Sequence, residues 1–362
     1  MYEFYFSTDF INRFQEFLSS KEYKNIPNYS KTEYWEYHAD RIEIQTCSNK
    51  VTISGKSEFY IPQRIGMKSK VKDRITKSIS NPSKLISFIK RKISIQDSQI
   101  KLLNYFDAFE RVMNNDPIAD PVLSPFRINF RNLKGKTGII SSISEMREKY
   151  FANHKYELTP SMVRSYYYYN IFRGYTNLMN VRKVLEIGAG NGNLSSLIYS
   201  SLENCTIVIV DLPEALANSI IFISDLFPDA KILMPHEDKT NDFDYYDFVF
   251  FTPKQIGIIE DNSIDLAINI SSFQEMTHRQ IGEYFELIQR CCKNNSYFFS
   301  SNRVEKIPCA GDCWEKETSE PANRFSEYPW NPANEVIIYE TCRLARLVQL
   351  DNVFNRLELV RK

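Results

Sequence analysis

The chain has 362 residues, with 45 basic against 45 acidic side chains and a high aromatic content of 25 Phe and 22 Tyr. That length holds a sizeable core and two domains, and the balanced charge provides no global field to attract nucleic acid. No apolar run approaches the ~20 residues of a membrane helix, the opening MYEFYFSTDF lacks the basic start and apolar region of a secretory signal, and the seven scattered cysteines then suit a reduced, cytoplasmic setting.

In chain order, Phe10, Phe14, Phe17 and Leu18 share one face of an expected N-terminal helix. Ile42, Ile44, Val51 and Ile53 predict β structure around a turn at Ser48-Asn49-Lys50. Tyr34, Trp35, Tyr37 and His38 form an aromatic cluster that either fills a small core or stacks on a sugar. The stretch from Met67 to Lys92 is strongly basic. It reads as a solvated segment, or as a peripheral contact to anionic membrane or a lipid-linked glycan through residues 68–92. Gln99 to Asn114 is a further expected helix, and the proline-rich Asp116 to Pro125 is a linker. Gly135-Lys136-Thr137 lacks the earlier glycine of a phosphate loop, because Phe130 stands there.

Thr159-Pro160 is a helix start, a capping residue followed by proline at the first position. Tyr166 to Tyr169 are consecutive and cannot all lie on one buried face, so some should face a cleft or water. Arg164 and Tyr167 are candidate acceptor contacts.

Lys183 to Pro213 is the most informative stretch: KVLEIGAGNGNLSSLIYSSLENCTIVIVDLP. It predicts strand, glycine turn, helix and strand, ending on Asp211. That is half of a doubly wound parallel sheet, in which ligands bind at the carboxyl ends of the strands. A dinucleotide fingerprint is G-x-G-x-x-G. Here the spacing is G-x-G-x-G over Gly188, Gly190 and Gly192, with Asn193 at the third glycine's position and Glu186 inside the strand. The pattern E-I-G-A-G-N-G resembles the first motif of class I S-adenosylmethionine (SAM) methyltransferases. A nicotinamide enzyme is the distant alternative.

A helix to about Phe227 follows, then two apolar runs, Lys231 to Met234 and Phe248 to Thr252. Either could be the third sheet strand, which leaves His236, Glu237, Thr252 and Gln255 as alternative adenine contacts. Ile264 to Ile270 is the fourth strand, delivering Asn269, Ser271, Gln274 and Glu275 to the sheet edge. Thr277 and Gln280 make a capping box. Ser296 to Ser301 is the fifth strand, followed by Asn302-Arg303; Cys309 to Pro332 is an insertion; Glu335 to Cys342 and Arg356 to Val360 close the sheet. Cys309 and Cys313 have no matching second pair, so no metal site is expected.

The series L-E-I-G-A-G-N-G, V-D-L-P-E, I-D-L-A-I-N-I-S-S-F-Q-E-M-T and F-F-S-S-N-R is similar to the sugar O-methyltransferase family of bacterial surface-glycan loci. The resemblance covers residues 160 to 362. D-L-P-E and S-F-Q-E-M are its distinctive parts, and Ala189 stands where relatives often carry glycine. It implies a Rossmann-like α/β sheet of seven mostly parallel strands, the last antiparallel. Residues 159–362 would form the SAM-dependent domain, and residues 1–158 an α+β region for acceptor recognition.

The implied cofactor is S-adenosylmethionine. Glu186, Gly188, Gly190, Gly192, Asp211 and Leu212 would hold it, with Asp211 accepting from both ribose hydroxyls. Asn269 and Ser271 would hold its amino group or shape the site. The implied partner is a sugar, nucleotide-sugar or glycan hydroxyl, with Arg164, Tyr167, Gln274 and Arg303 as acceptor contacts. Glu275 is the expected base, having no evident structural duty, and His278 is its rival. Two other readings are methylation of a non-sugar small molecule or lipid, and a non-catalytic SAM-binding component of a glycan-assembly complex.

Overall fold

The computed structural model describes residues 2–24, 42–55, 159–202, 204–237, 243–306, 321–347 and 352–362. The Tyr34–His38 cluster, the basic stretch, the expected helix at 99–114, Trp314 and the Cys309/Cys313 pair lie outside them. The chain divides into two compact units. One comprises Met1–Ile61, Tyr175–Cys342 and Leu350–Lys362; the other comprises Pro62–Gly174 and Arg343–Gln349.

The first unit opens with β1 (Tyr2–Tyr5), α1 (Thr8–Ser19) and the single turn α2 (Lys21–Lys24). Then come β2 (Ile42–Cys47) and β3 (Lys50–Gly55). Ser7 caps α1 by accepting from the Phe10 N–H. The three strands form an antiparallel sheet in the order β1-β3-β2. Ser48, at positive φ, turns the hairpin. Phe14 and Phe17 are buried, as their spacing predicts.

Helix α3 (Pro160–Tyr175) starts where Thr159 accepts from the Met162 N–H. All four tyrosines from Tyr166 to Tyr169 are buried, against the expectation that some would be open. The one-face argument fails because α3 is enclosed on more than one side. Met162, Val163 and every residue from Ser165 to Ile171 are buried.

The main sheet is laid down by β4 (Lys183–Ile187), α4 (Asn193–Ser201), β5 (Thr206–Val210), α5 (Pro213–Leu226), β6 (Ile232–Leu233), β7 (Phe248–Phe251) and β8 (Ile264–Ile270). It continues through α6 (His278–Cys291), β9 (Cys292–Arg303), the short β10 (Glu305–Lys306) and β11 (Asn323–Arg324), β12 (Glu335–Thr341) and β13 (Val353–Leu359). In the second unit, α7 (Arg343–Leu347) lies between these last two in sequence. The strand order is β12-β13-β9-β8-β4-β5-β7-β6, with β10 and β11 pairing apart.

The sheet has eight strands rather than the expected seven. The addition is β6, whose Ile232 and Leu233 pair with Phe248 and Val249. Both apolar runs are therefore strands, but only β7 adjoins β5. The last strand, β13, is antiparallel to both its neighbours, as expected. Every residue of β4 and β5 is buried, as befits parallel strands covered on both faces. Each such Val, Ile or Leu contributes about 1.5–3 kcal/mol by leaving water.

Winding proceeds from β4 through β5 to β7 on one side, and from β8 to β9 on the other. The β4/β8 junction is thus the topological switch point, where a crevice opens at the carboxyl ends of the strands.

Candidate functional site

At that crevice the chain leaves β4 through Gly188, Gly190 and Gly192, all at positive φ: 74°, 61° and 79°. Two of them also lack room for a side chain. A Cβ on Gly188 would fall 2.0 Å from Ser272 Oγ, and one on Gly192 would lie 2.9 Å from Ile223 Cδ1. At Gly190 only the backbone angle demands glycine, since no atom lies within 4 Å of the added carbon.

Asp211, just beyond β5, fastens this turn. Its Oδ2 accepts the Gly190 N–H at 2.8 Å and its Oδ1 accepts the Leu212 N–H at 2.7 Å. The Gly188 N–H reaches Val210 O at 2.8 Å. Burial pushes the Asp211 carboxyl up to about 7, against the pull of those two N–H groups, and nearby Glu275 and Glu214 add to the rise. Burial likewise lifts Glu186 to about 7. There the Ser195 hydroxyl, which donates to Oε2, opposes the shift, while Asp211 reinforces it.

A cleft with ≈ 750 Å³ of empty space, open solvent included, adjoins Gly188 and Asp211, while Glu186, Gly190 and Gly192 are not among its lining residues. Gly188, Asp211, Leu212 and Glu275 line it, and so do Ser272, Lys254, Ile256, Met276, Gln280, Glu283 and Tyr284. Among the described residues the lining carries three carboxyl groups, Asp211, Glu275 and Glu283, and the cation Lys254. Burial, with the Asp211 charge, raises the Tyr284 phenol above its ordinary value.

Several expected residues shape the wall instead of lining it. Asn269 is fully buried. Its Nδ2 donates to Ile187 O at 3.0 Å, and its Oδ1 accepts from Asn302 Nδ2 at 2.8 Å and from the Phe273 N–H at 3.3 Å. It therefore ties β4, β8 and β9 together. Ser271, at φ 56°, donates its N–H to Ser301 O at 2.8 Å. Gln274 Oε1 accepts the Arg303 N–H at 2.8 Å, which gives the Gln274 side chain a structural duty. Arg303 is half-buried.

Glu275 also has a duty that the sequence reading missed. Its Oε1 receives Lys306 Nζ at 2.9 Å, and both side chains are buried. His278, at the start of α6, is exposed and not among the lining residues. Arg164 and Tyr167 lie on α3, in the second unit. Of the alternative adenine contacts, Glu237 takes both Arg13 Nε, at 2.5 Å, and Arg13 Nη2, at 3.0 Å. His236 stacks on Phe17 at 6.1 Å between centroids. Thr252 and Gln255 cap the turn Pro253–Ile258, which brings Lys254 and Ile256 to the cleft. Among the described residues no group of three or more His, Cys, Asp or Glu could hold a metal ion, and no helix is long and apolar enough to cross a membrane.

No family model matches the chain, and no curated protein matches it. Solved structures similar to it include phosphoethanolamine N-methyltransferase 1 of Haemonchus contortus, in complex with phosphoethanolamine and S-adenosylhomocysteine. That match has 12% identity and a TM-score of 0.35, over 53% of this chain and 41% of that one. This chain thus spans about two fifths of the Haemonchus enzyme. A SAM-dependent methyltransferase of Methanosarcina mazei is 13% identical with a TM-score of 0.35, over 53% and 98% of the two chains. One from Mesorhizobium loti is 10% identical with a TM-score of 0.34, over 52% and 95%. At these identities and scores the likenesses add no argument for activity or substrate.

Proposed function

We propose that the chain is a SAM-dependent O-methyltransferase acting on a hydroxyl of a sugar, nucleotide-sugar or glycan. One observation carries the cofactor reading: a turn of three positive-φ glycines fastened by the buried carboxylate of Asp211, at the switch point of a doubly wound sheet. The cradle fits the group. A Cβ at Gly188 would close it, and each Asp211 oxygen, already holding one N–H, keeps a further lone pair for a ribose hydroxyl. The sugar class rests on the sequence resemblance over residues 160 to 362.

When bound, SAM supplies an electrophilic methyl on a good leaving group. The backbone from Gly188 to Gly192 and Asp211 would hold it, leaving alignment of the acceptor as the chain's main task. Glu275, on the cleft wall, would take the proton of the acceptor hydroxyl. Gln274 and Arg303 remain proposed for the acceptor side, and residues 1–158 for its recognition.

Calorimetry with S-adenosylhomocysteine, with NADH as control, tests the reading. Micromolar binding of S-adenosylhomocysteine alone is expected. Binding of NADH alone, or of neither, overturns it.

A further inference from the structure

The pair formed by Lys306 and Glu275 is unusual in its placement. Lys306 Nζ lies 2.9 Å from Glu275 Oε1, with side chains only 7% and 8% exposed, yet Glu275 borders the cleft. Removing two charges from water is costly, and a buried pair is weak as a stabilising device. Such a pair at a cavity wall therefore points to a role in what the cavity binds.

The pair is held from both sides. Lys306 and Asn323 face each other in the β10–β11 ribbon. Asn323 Nδ2 donates to Gln274 O at 3.2 Å and also to Met276 O, the carbonyls flanking Glu275. The Glu275 N–H donates to Ser272 O at 2.9 Å. One ribbon thus grips the turn by its backbone and its carboxylate at once.

We propose that Lys306 is a positioning residue for Glu275. It balances the Glu275 charge and occupies Oε1, so that Oε2 serves the acceptor hydroxyl instead of the sulfonium. An unbalanced carboxylate here would bind a cationic cofactor more tightly in the ground state, which does nothing for the transfer step. The inference rests on the methyl-transfer reading above.

The test is calorimetric binding of two ligands that differ in charge, S-adenosylmethionine and S-adenosylhomocysteine, to the full chain and three variants at pH 8. Lys306→Met should raise the preference for the sulfonium about tenfold, the scale of one charge at close range in water-like surroundings. Lys306→Arg should restore the original ratio. Glu275→Gln, which removes the carboxylate charge of the pair, should shift the ratio the opposite way and decides the matter should Lys306→Met fail to fold. Ratios within twofold of the parent in Lys306→Met and Glu275→Gln overturn the role of Lys306. Binding of neither ligand by the parent chain overturns the cofactor reading itself, which is a separate failure.

Discussion

Gly190 and Asp211 are joined by a 2.8 Å hydrogen bond from the Gly190 N–H to Oδ2, so the residue just after β5 fixes the turn that follows β4. The carboxylate is therefore structural before it is anything else. Asp211→Ala strands the N–H groups of Gly190 and Leu212, and should lower unfolding free energy by about 2 kcal/mol. S-adenosylhomocysteine affinity should fall further, roughly 100-fold, because charged hydrogen bonds to the ribose go as well. Urea unfolding and calorimetry on one preparation separate the two effects. Unchanged affinity would remove Asp211 from the cofactor site.

Glu186 and Asp211 make stability depend on pH in an uncommon direction. Both carboxyls sit at about 7 in the folded chain, against ordinary values of 4.5 and 3.8. Between about pH 4 and 7 the unfolded chain has lost these protons while the folded chain keeps them. The stability is fully present below the unfolded values and is lost as pH rises toward 7, by about 1.4 kcal/mol per pH unit per group. Unfolding at a series of pH values should show this decline, and Glu186→Gln should flatten about half of it. A flat profile in the parent chain would refute the assignment.

The three glycines should not respond alike to alanine. Gly188→Ala meets both an unfavourable φ and the Ser272 side chain, so it should cost about 3 kcal/mol or more. Gly190→Ala meets only the backbone term and should cost about 1 kcal/mol. Adding Ser272→Gly to Gly188→Ala should recover the steric part. Chemical unfolding of the three variants checks the order.

Asn269→Ala leaves Ile187 O, the Phe273 N–H and Asn302 Nδ2 without their buried partner. A loss of about 3 kcal/mol is expected. A stable variant that fails to bind S-adenosylhomocysteine would instead give Asn269 a direct ligand contact.

What could be read from the sequence follows from where each constraint acts. Gly188, Gly190 and Gly192 were legible because positive φ is a local demand that leaves its mark in residue type. The strands β4, β5 and β8 were legible as short apolar runs between turn signals. The duty of Glu275 was hidden because Lys306 lies 31 positions away on a ribbon of two-residue strands. How Asn269 shapes the site was hidden for a similar reason, since its partners include residues of β4 and β9. The ranking of β6 and β7 stayed open because both runs are apolar and only pairing distinguishes an inner strand from an edge.

That edge has a practical consequence for any shortened protein. The Lys231 carbonyl accepts from the N–H groups of Asp247 and Phe248, and the next carbonyl, that of Ile232, takes Arg13 Nη2 at 2.7 Å. Helix α1 thereby shields the rim of the sheet, as edge strands require if they are not to recruit other chains. A fragment begun at Thr159 would keep all eight strands and lose this guard. Such a fragment should be prone to aggregation, and material for crystallisation or assay is better made with the N-terminal residues retained.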